Sequence, residues 1–157
     1  MKKIIVALVF SSVVIACQRA EVLWDSINPL PALDTAQVFV KDQWPGYFSF
    51  RERAAYLSDT PSAEEFNLLI DELIEKQSSA LAELPTWAQQ PSIRARMKVV
   101  NTYLNQTKSL FGLKQPVHRE LNAVFDGIKD LDRNLVLVHA QKNDSVLFVQ
   151  DTLPQTK

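Results

Sequence analysis

Several stretches of the chain carry apolar residues at the three- and four-residue spacing that places side chains on one face of an α-helix. In the most regular stretch, apolar positions alternate strictly by four and three. They are Val117, Leu121, Val124, Ile128, Leu131, Leu135 and Val138. This order is typical of a bundle or an antiparallel coiled-coil seam. We therefore expect this helix, opened by Pro116, to be packed against others.

Two earlier stretches have the same periodicity and carry helix-boundary signals. Thr60 is the expected N-cap of the first, with Pro61 at the first helical position and the apolar stripe beginning at Phe66. The second begins at Pro91, and Gly112 is its expected C′ residue. Its stripe is Ile93, Met97, Val100, Leu104, Thr107 and Phe111.

Residues 34–58 predict a helix with a break. Asp34 is a plausible N-cap, with Gln37 at the capping-box position. The segment 44–46 (Trp-Pro-Gly) stops this helix, since proline removes a backbone donor and clashes with the preceding turn. A second piece follows from about Tyr47 to Leu57.

Short connections make neighbouring helices antiparallel. The predicted fold is therefore an all-α antiparallel bundle of three long helices and a kinked N-terminal helix. A turn near Lys114 pairs three cations of one helix with polar groups of the next. These pairs are Arg94 with Asn134, Arg96 with Asp132, and Lys98 with Asp130. Residues 143–157 either continue the last helix or run extended along the bundle.

The first residues predict an export signal. Lys2 and Lys3 precede an apolar run over 4–15 that is broken only by Ser11 and Ser12. The run is shorter than the roughly 20 apolar residues of a spanning helix. Its charge, length and small-residue ending are those of a secretory signal.

The end of this signal, Val14-Ile15-Ala16-Cys17, resembles the lipobox of bacterial lipoproteins. The resemblance implies cleavage before Cys17 and lipidation of its sulfur. It also implies a signal peptide at 1–16. From the two prolines and the lack of clean periodicity after Cys17, we expect a lipid-anchored tether at 17–33, followed by the bundle at 34–157. An ordinary signal peptide or an uncleaved anchor with a chance cysteine is the alternative.

The tether holds Leu23, Trp24, Ile27 and Leu30, which are rather apolar for a free linker. We expect part of it to pack on the bundle; the other possibility is that it lies at the membrane interface. In enterobacterial lipoproteins an aspartate after the cysteine marks retention in the inner membrane. By that analogy Gln18 favours the outer membrane, with palmitate among the attached acyl chains.

Composition argues against several functions. Without Lys2 and Lys3, 15 basic residues remain against 18 acidic ones, which gives a formal charge of −3. This charge does not indicate a nucleic-acid-binding protein. Cys17 is the sole cysteine, so the mature domain has no disulfide. His118 and His139, at opposite ends of the last predicted helix, are about 30 Å apart and cannot share a metal. No nucleophile elbow or glycine-rich phosphate loop is present. We expect no catalytic residues, no metal and no cofactor.

Aromatic residues concentrate around the break in the first helix. They are Phe39, Trp44, Tyr47, Phe48 and Phe50. They either plug one end of the bundle, together with Trp87, or line a groove for a partner segment or an apolar ligand.

Three functions remain open. The preferred one is a non-catalytic interaction or assembly role in the cell envelope, with lipid on Cys17 as the membrane attachment and another envelope protein as partner. The others are a carrier of an apolar ligand and an immunity-type lipoprotein that binds a toxin. A carrier requires an enclosed apolar pocket, whereas the other two require an exposed binding patch.

Overall fold

The computed structural model describes residues 28–34 and 37–151, the side chains as far as Gln141. Within these ranges the regular structure is helical, without a β-strand. The helices are α1 (Phe39–Gln43), α2 (Pro45–Ala55), α3 (Ala63–Ala82), α4 (Pro91–Gly112) and α5 (His118–Asp151). Short 3₁₀ turns at Tyr56–Asp59 and Thr86–Ala88 follow α2 and α3.

Contacts between successive long helices show that they run antiparallel. Phe66 at the start of α3 meets Phe111 at the end of α4, with ring centroids 4.6 Å apart. A Cβ built on Gly127 of α5 would lie 2.9 Å from Val100 Cγ2 of α4. This approach differs by one residue from the predicted register and is close because glycine has no side chain. The predicted antiparallel helical bundle is confirmed.

The apolar stripes form the core. Six members of the α5 seam, from Val117 to Leu135, are buried, and Val138 packs partly buried against them. In α4 the stripe from Ile93 to Thr107 is likewise buried. Burial of these side chains at about 1.5–3 kcal/mol each is the main force that stabilises the bundle.

The break in the N-terminal helix lies where it was predicted. The backbone amide of Asp34 donates to Gln37 Oε1 at 3.1 Å, but α1 begins only at Phe39 with Val38 as its N-cap, so the prediction of Asp34 as the N-cap is wrong. Trp44 has φ −147° and ψ 68°, outside the helical region, and separates α1 from α2. Pro45 also begins α2, because the first helical position has no need of an amide donor.

The predicted cap of α3 is wrong. Ser62, not Thr60, is the N-cap, since its Oγ accepts from the Glu65 amide at 3.2 Å. Thr60 Oγ1 instead donates to the carbonyl of Tyr56 at 2.9 Å and closes the preceding turn.

The predicted end of α4 is also displaced. Gly112 is the last helical residue, and the left-handed residue is Lys114, with φ 56°. The amides of Lys114 and Gln115 donate to the carbonyls of Phe111 and Leu110, the two bonds of a Schellman motif.

The predicted charge pairs between α4 and α5 are wrong as well. Asp132 faces α2 and bonds to Arg51, while Asp130 pairs with Arg133 on its own helix. Arg96 Nε is buried and has no hydrogen-bond partner in the described part of the chain.

The last helix continues through residue 151, so the helical alternative for 143–151 is the one found. None of the helices in the described ranges has both the length and the apolar character needed to cross a membrane. The predicted signal peptide and Cys17 lie outside the described residues.

Candidate interaction groove

Residues 28–34, here called the strap, lie on the bundle. Leu30 belongs to the buried core, which confirms the expected packing of part of the tether. The amide of Asn28 donates to Asn122 Oδ1 at 3.3 Å, and the carbonyl of Pro31 accepts from Arg51 Nη2 at 2.6 Å. The strap is thereby held to α5 and α2.

A buried polar cluster lies beneath the strap. Arg51 and Asp132 are each 4% exposed, and Arg51 Nε donates to Asp132 Oδ2 at 2.8 Å. Tyr47 Oη donates to the other carboxylate oxygen at 2.7 Å. The cluster joins three parts of the chain: Tyr47 and Arg51 on α2, Asp132 on α5 and, through Arg51, Pro31 of the strap.

Burial governs the protonation of this cluster. It raises the pKa of Asp132 above the usual 3.8 and outweighs the hydrogen bond and charge of Arg51, which lower it. Burial, followed by the charge of Asp132, raises the pKa of Tyr47 well above 10.0. The Tyr47 hydroxyl therefore keeps its proton and remains a donor to the carboxylate.

An open groove of about 720 Å³ lies between the strap, α2 and α3. The strap forms one wall with residues 30–33, and α3 forms the other with Glu72 and Lys76. Phe48 and Tyr56 supply aromatic surface from the α2 side, and Tyr56 is 59% exposed.

Two smaller hollows adjoin this groove, and we call the three together the furrow. A hollow of about 320 Å³ shares Arg53 and Tyr56 with the groove and contains Leu68, which is 64% exposed. Another, of about 340 Å³, shares Glu72 and Lys76 with it and reaches Gly46. The furrow therefore follows the seam between α2 and α3.

The furrow carries an excess of negative charge. Its two half-buried cations, Arg53 and Lys76, are already paired with one carboxylate, since Glu72 lies 2.8 Å from Arg53 Nε and 3.8 Å from Lys76 Nζ. Four exposed carboxylates along the furrow form no ion pair with other described residues. They are Glu52, Asp59, Glu65 and Glu75.

Of the five aromatic residues predicted to contact a partner or ligand, three are core residues. Trp44, Tyr47 and Phe50 are buried, and Trp44 Nε1 donates to the carbonyl of Ala80 at 3.1 Å. Phe48 is half-buried and lines the groove, with Lys41 Nζ 5.6 Å from its ring centroid. Of these five aromatic residues, only Phe48 and Phe39 are half-buried and therefore accessible to a partner.

Phe39 lies on α1 and belongs to a different cluster from Phe48. Its ring stacks on His139 at 3.9 Å and meets the edge of Trp87 at 5.5 Å. Gln43 Nε2 lies 3.3 Å from His139 Nε2. Trp87 thus packs against Phe39, as the plug hypothesis expected, while Trp44 and Tyr47 fill the interior beside it.

Comparison with known protein families, curated proteins and solved structures finds no match to this chain. No group of three or more potential metal ligands occurs among the described residues.

Sequence reasoning missed the partners of Asp132 and the furrow itself. One available signal was the four-residue spacing of Tyr47 and Arg51, which places both on one face of α2. That spacing gives no information on which distant helix supplies the carboxylate. The furrow depends on where the strap lies, and periodicity does not determine this.

Proposed function

We propose that the chain is a lipid-anchored protein of the cell envelope, in the outer membrane, whose bundle binds another envelope protein without catalysing a reaction. The lipobox of the sequence supports the anchor. The furrow is the observation that supports the binding role.

The lining of the furrow favours a basic partner segment. Four exposed carboxylates lack an internal cation, so a lysine- or arginine-bearing segment gains charge complementarity along the seam. Tyr56, Leu68 and Phe48 provide apolar contacts between those charges. Exposed aromatic and aliphatic groups beside charges are typical of a protein interface.

The same lining argues against an apolar small molecule. The groove has a volume of about 720 Å³, which is adequate for a small ligand. However, it is open, and charged side chains lie along its edge: Glu52, Arg53, Glu72 and Lys76. An apolar ligand prefers an enclosed site with few polar groups. An extended or helical protein segment fits an open charged seam better.

Removal of two unpaired carboxylates tests the binding role. The furrow variant carries Glu52→Gln and Glu75→Gln, and the control carries Asp42→Asn and Glu64→Gln. All four residues are exposed and form no ion pair among the described residues, so both variants change the net charge equally. Only the first pair lines the furrow.

The measurement is cross-linking of the lipidated protein in its native envelope, with quantitative mass spectrometry. We expect the furrow variant to lose a specific partner by tenfold or more, on the order of 1.4 kcal/mol, while the control retains it. Higher salt should weaken the wild-type complex, because exposed charges are screened. The proposal is contradicted if the wild type, the furrow variant and the control capture the partner equally, or if none of them captures a specific partner.

A further inference from the structure

Two rows of side chains border the furrow, and both have helical spacing. The row on α3 alternates by three and four residues, as the seam of a bundle does. Its members are Glu65, Leu68, Glu72, Glu75 and Ser79. The row on α2 and the turn after it has the same spacing and consists of Gly46, Ser49, Arg53 and Tyr56. Each side of the furrow therefore presents a stripe that is separate from the buried stripe of the same helix.

The two rows run antiparallel and stay side by side. Arg53 Nε lies 2.8 Å from Glu72 Oε2, and a Cβ built on Gly46 would lie 3.6 Å from Ala80 Cα. Between these two contacts α2 advances by seven residues and α3 by eight, which is about 11–12 Å along both helices. The furrow is therefore a straight channel between two helices.

A channel of this kind favours a helix as its occupant. In helix bundles, side chains at three- and four-residue spacing on one helix pack between those of its neighbours. An extended segment would need partners for its own amides and carbonyls, and the backbone groups within α2 and α3 are already paired inside each helix. The strap borders only the groove and neither of the two smaller hollows, so it could pair with part of such a segment at most.

The side chains along the furrow indicate how such a helix would lie. Gly46, Ser49 and Ser79 are small and lie at one end, so a helix can approach most closely there. Tyr56 and Leu68 supply exposed apolar surface at the other end. The α3 row extends over 14 residues, or about 21 Å, which corresponds to about four turns of a partner helix.

The charge of the furrow specifies the face of that helix. Five carboxylates line the furrow against two cations, which gives a net charge of −3, and residues 30–33 of the strap are uncharged. The flanking charges of Lys41, beside Phe48, and Glu83, beside Gly46, have opposite signs and leave this excess unchanged. The carboxylates are Glu52, Asp59, Glu65, Glu72 and Glu75, and the cations are Arg53 and Lys76.

We propose that the furrow binds an amphipathic helix of the partner, about four turns long, with lysine or arginine at three- and four-residue spacing on the bound face. This mode, a helix laid in a groove, combines apolar anchors with matched charge. The inference rests on the proposed binding role of the furrow and adds the conformation of the bound segment.

Photo-cross-linking from two points along the furrow measures the rise per residue of the bound segment. The lipidated full chain carries benzoylphenylalanine in place of Leu68 or of Ser79, and cross-linked residues are located by mass spectrometry after irradiation in the native envelope. Both positions are exposed, so neither substitution disturbs the core. They are 11 residues apart on α3, a distance of about 17 Å. The control carries benzoylphenylalanine in place of Val99, which is 48% exposed on α4 and outside the furrow.

We expect positions 68 and 79 to capture the same partner at residues about 11 apart in its sequence, because a helix advances about 1.5 Å per residue. The captured segment should carry lysine or arginine at three- and four-residue spacing, and position 99 should not capture it. A separation of about five residues would identify an extended segment, at about 3.3 Å per residue. That result overturns the helix and leaves the binding role intact.

Two further results contradict the binding role as well. One is the absence of any partner at positions 68 and 79 that is not also captured at position 99. The other is capture of a second copy of this chain in place of a different envelope protein.

Discussion

At the level of single residues, Asp132 shows how a polar side chain can be built into an apolar seam. It lies between Leu131 and Leu135 of the seam, yet both of its oxygens accept short bonds, from Tyr47 and Arg51. A buried carboxylate without such partners would cost several kcal/mol. The packing of α2 and the strap against α5 therefore depends on this cluster.

The protonation of Asp132 should make stability depend on pH. Because burial raises its pKa above 3.8, the folded protein binds this proton more tightly than the unfolded chain does. The resulting stability is fully present below the unfolded pKa and is lost as the pH rises through the folded pKa. Relative to Asp132→Asn, the wild type should lose free energy of unfolding between about pH 4 and pH 7.

Urea unfolding of both proteins at the two pH values measures this difference. Asp130→Asn, at an exposed aspartate on the same helix, controls for the loss of one carboxylate. The raised pKa of Asp132 is contradicted if the difference in free energy of unfolding between wild type and Asp132→Asn does not change with pH. It is also contradicted if the wild type gains stability relative to Asp132→Asn as the pH rises.

The predicted pairing of Asp132 with Arg96 was wrong for a physical reason. Asp132 and Arg96 stand opposite each other in a helical hairpin, so their charges suggested a pair. The register was correct within one residue, but a side chain on α5 also faces α2. Which of two neighbouring helices supplies the partner depends on rotation about the helix axis, and spacing along the chain does not reveal it.

At the level of helices, periodicity located the elements well and their ends less well. The stripes of α4 and α5 are buried as predicted because burial of apolar surface dominates their packing. Ends depend on the φ and ψ of one or two residues. The cap at Ser62 matched the capping-box spacing to Glu65, so the signal was present in the sequence.

The end of α4 yields a stability prediction. Gly112 is helical, and a Cβ added there meets nothing within 4 Å, so Gly112→Ala should stabilise the protein. Lys114 is left-handed, so Lys114→Gly should relieve strain. We expect the double variant to gain about 1–2 kcal/mol in free energy of unfolding, measured with urea. A loss of stability in Gly112→Ala would show that the glycine is the C′ residue after all.

At the level of the whole molecule, the strap and the furrow adjoin each other. The strap is held to α5 through Asn122 and to α2 through Arg51, and the furrow follows the seam between α2 and α3. In the proposed complex the partner segment lies along this acidic furrow. Composition did not predict the furrow, because it arises from how distant segments pack together.

The proposed role in the envelope depends on the fate of Cys17, which mass spectrometry of the protein isolated from membranes can determine. We expect an amino-terminal peptide that begins at Cys17 and carries a diacylglyceryl group on sulfur and an acyl chain on nitrogen. The Cys17→Ser variant should remain uncleaved and without lipid. A mature protein with a free Cys17 thiol, or a Cys17→Ser variant that is processed and held in the membrane as before, would contradict the lipid anchor.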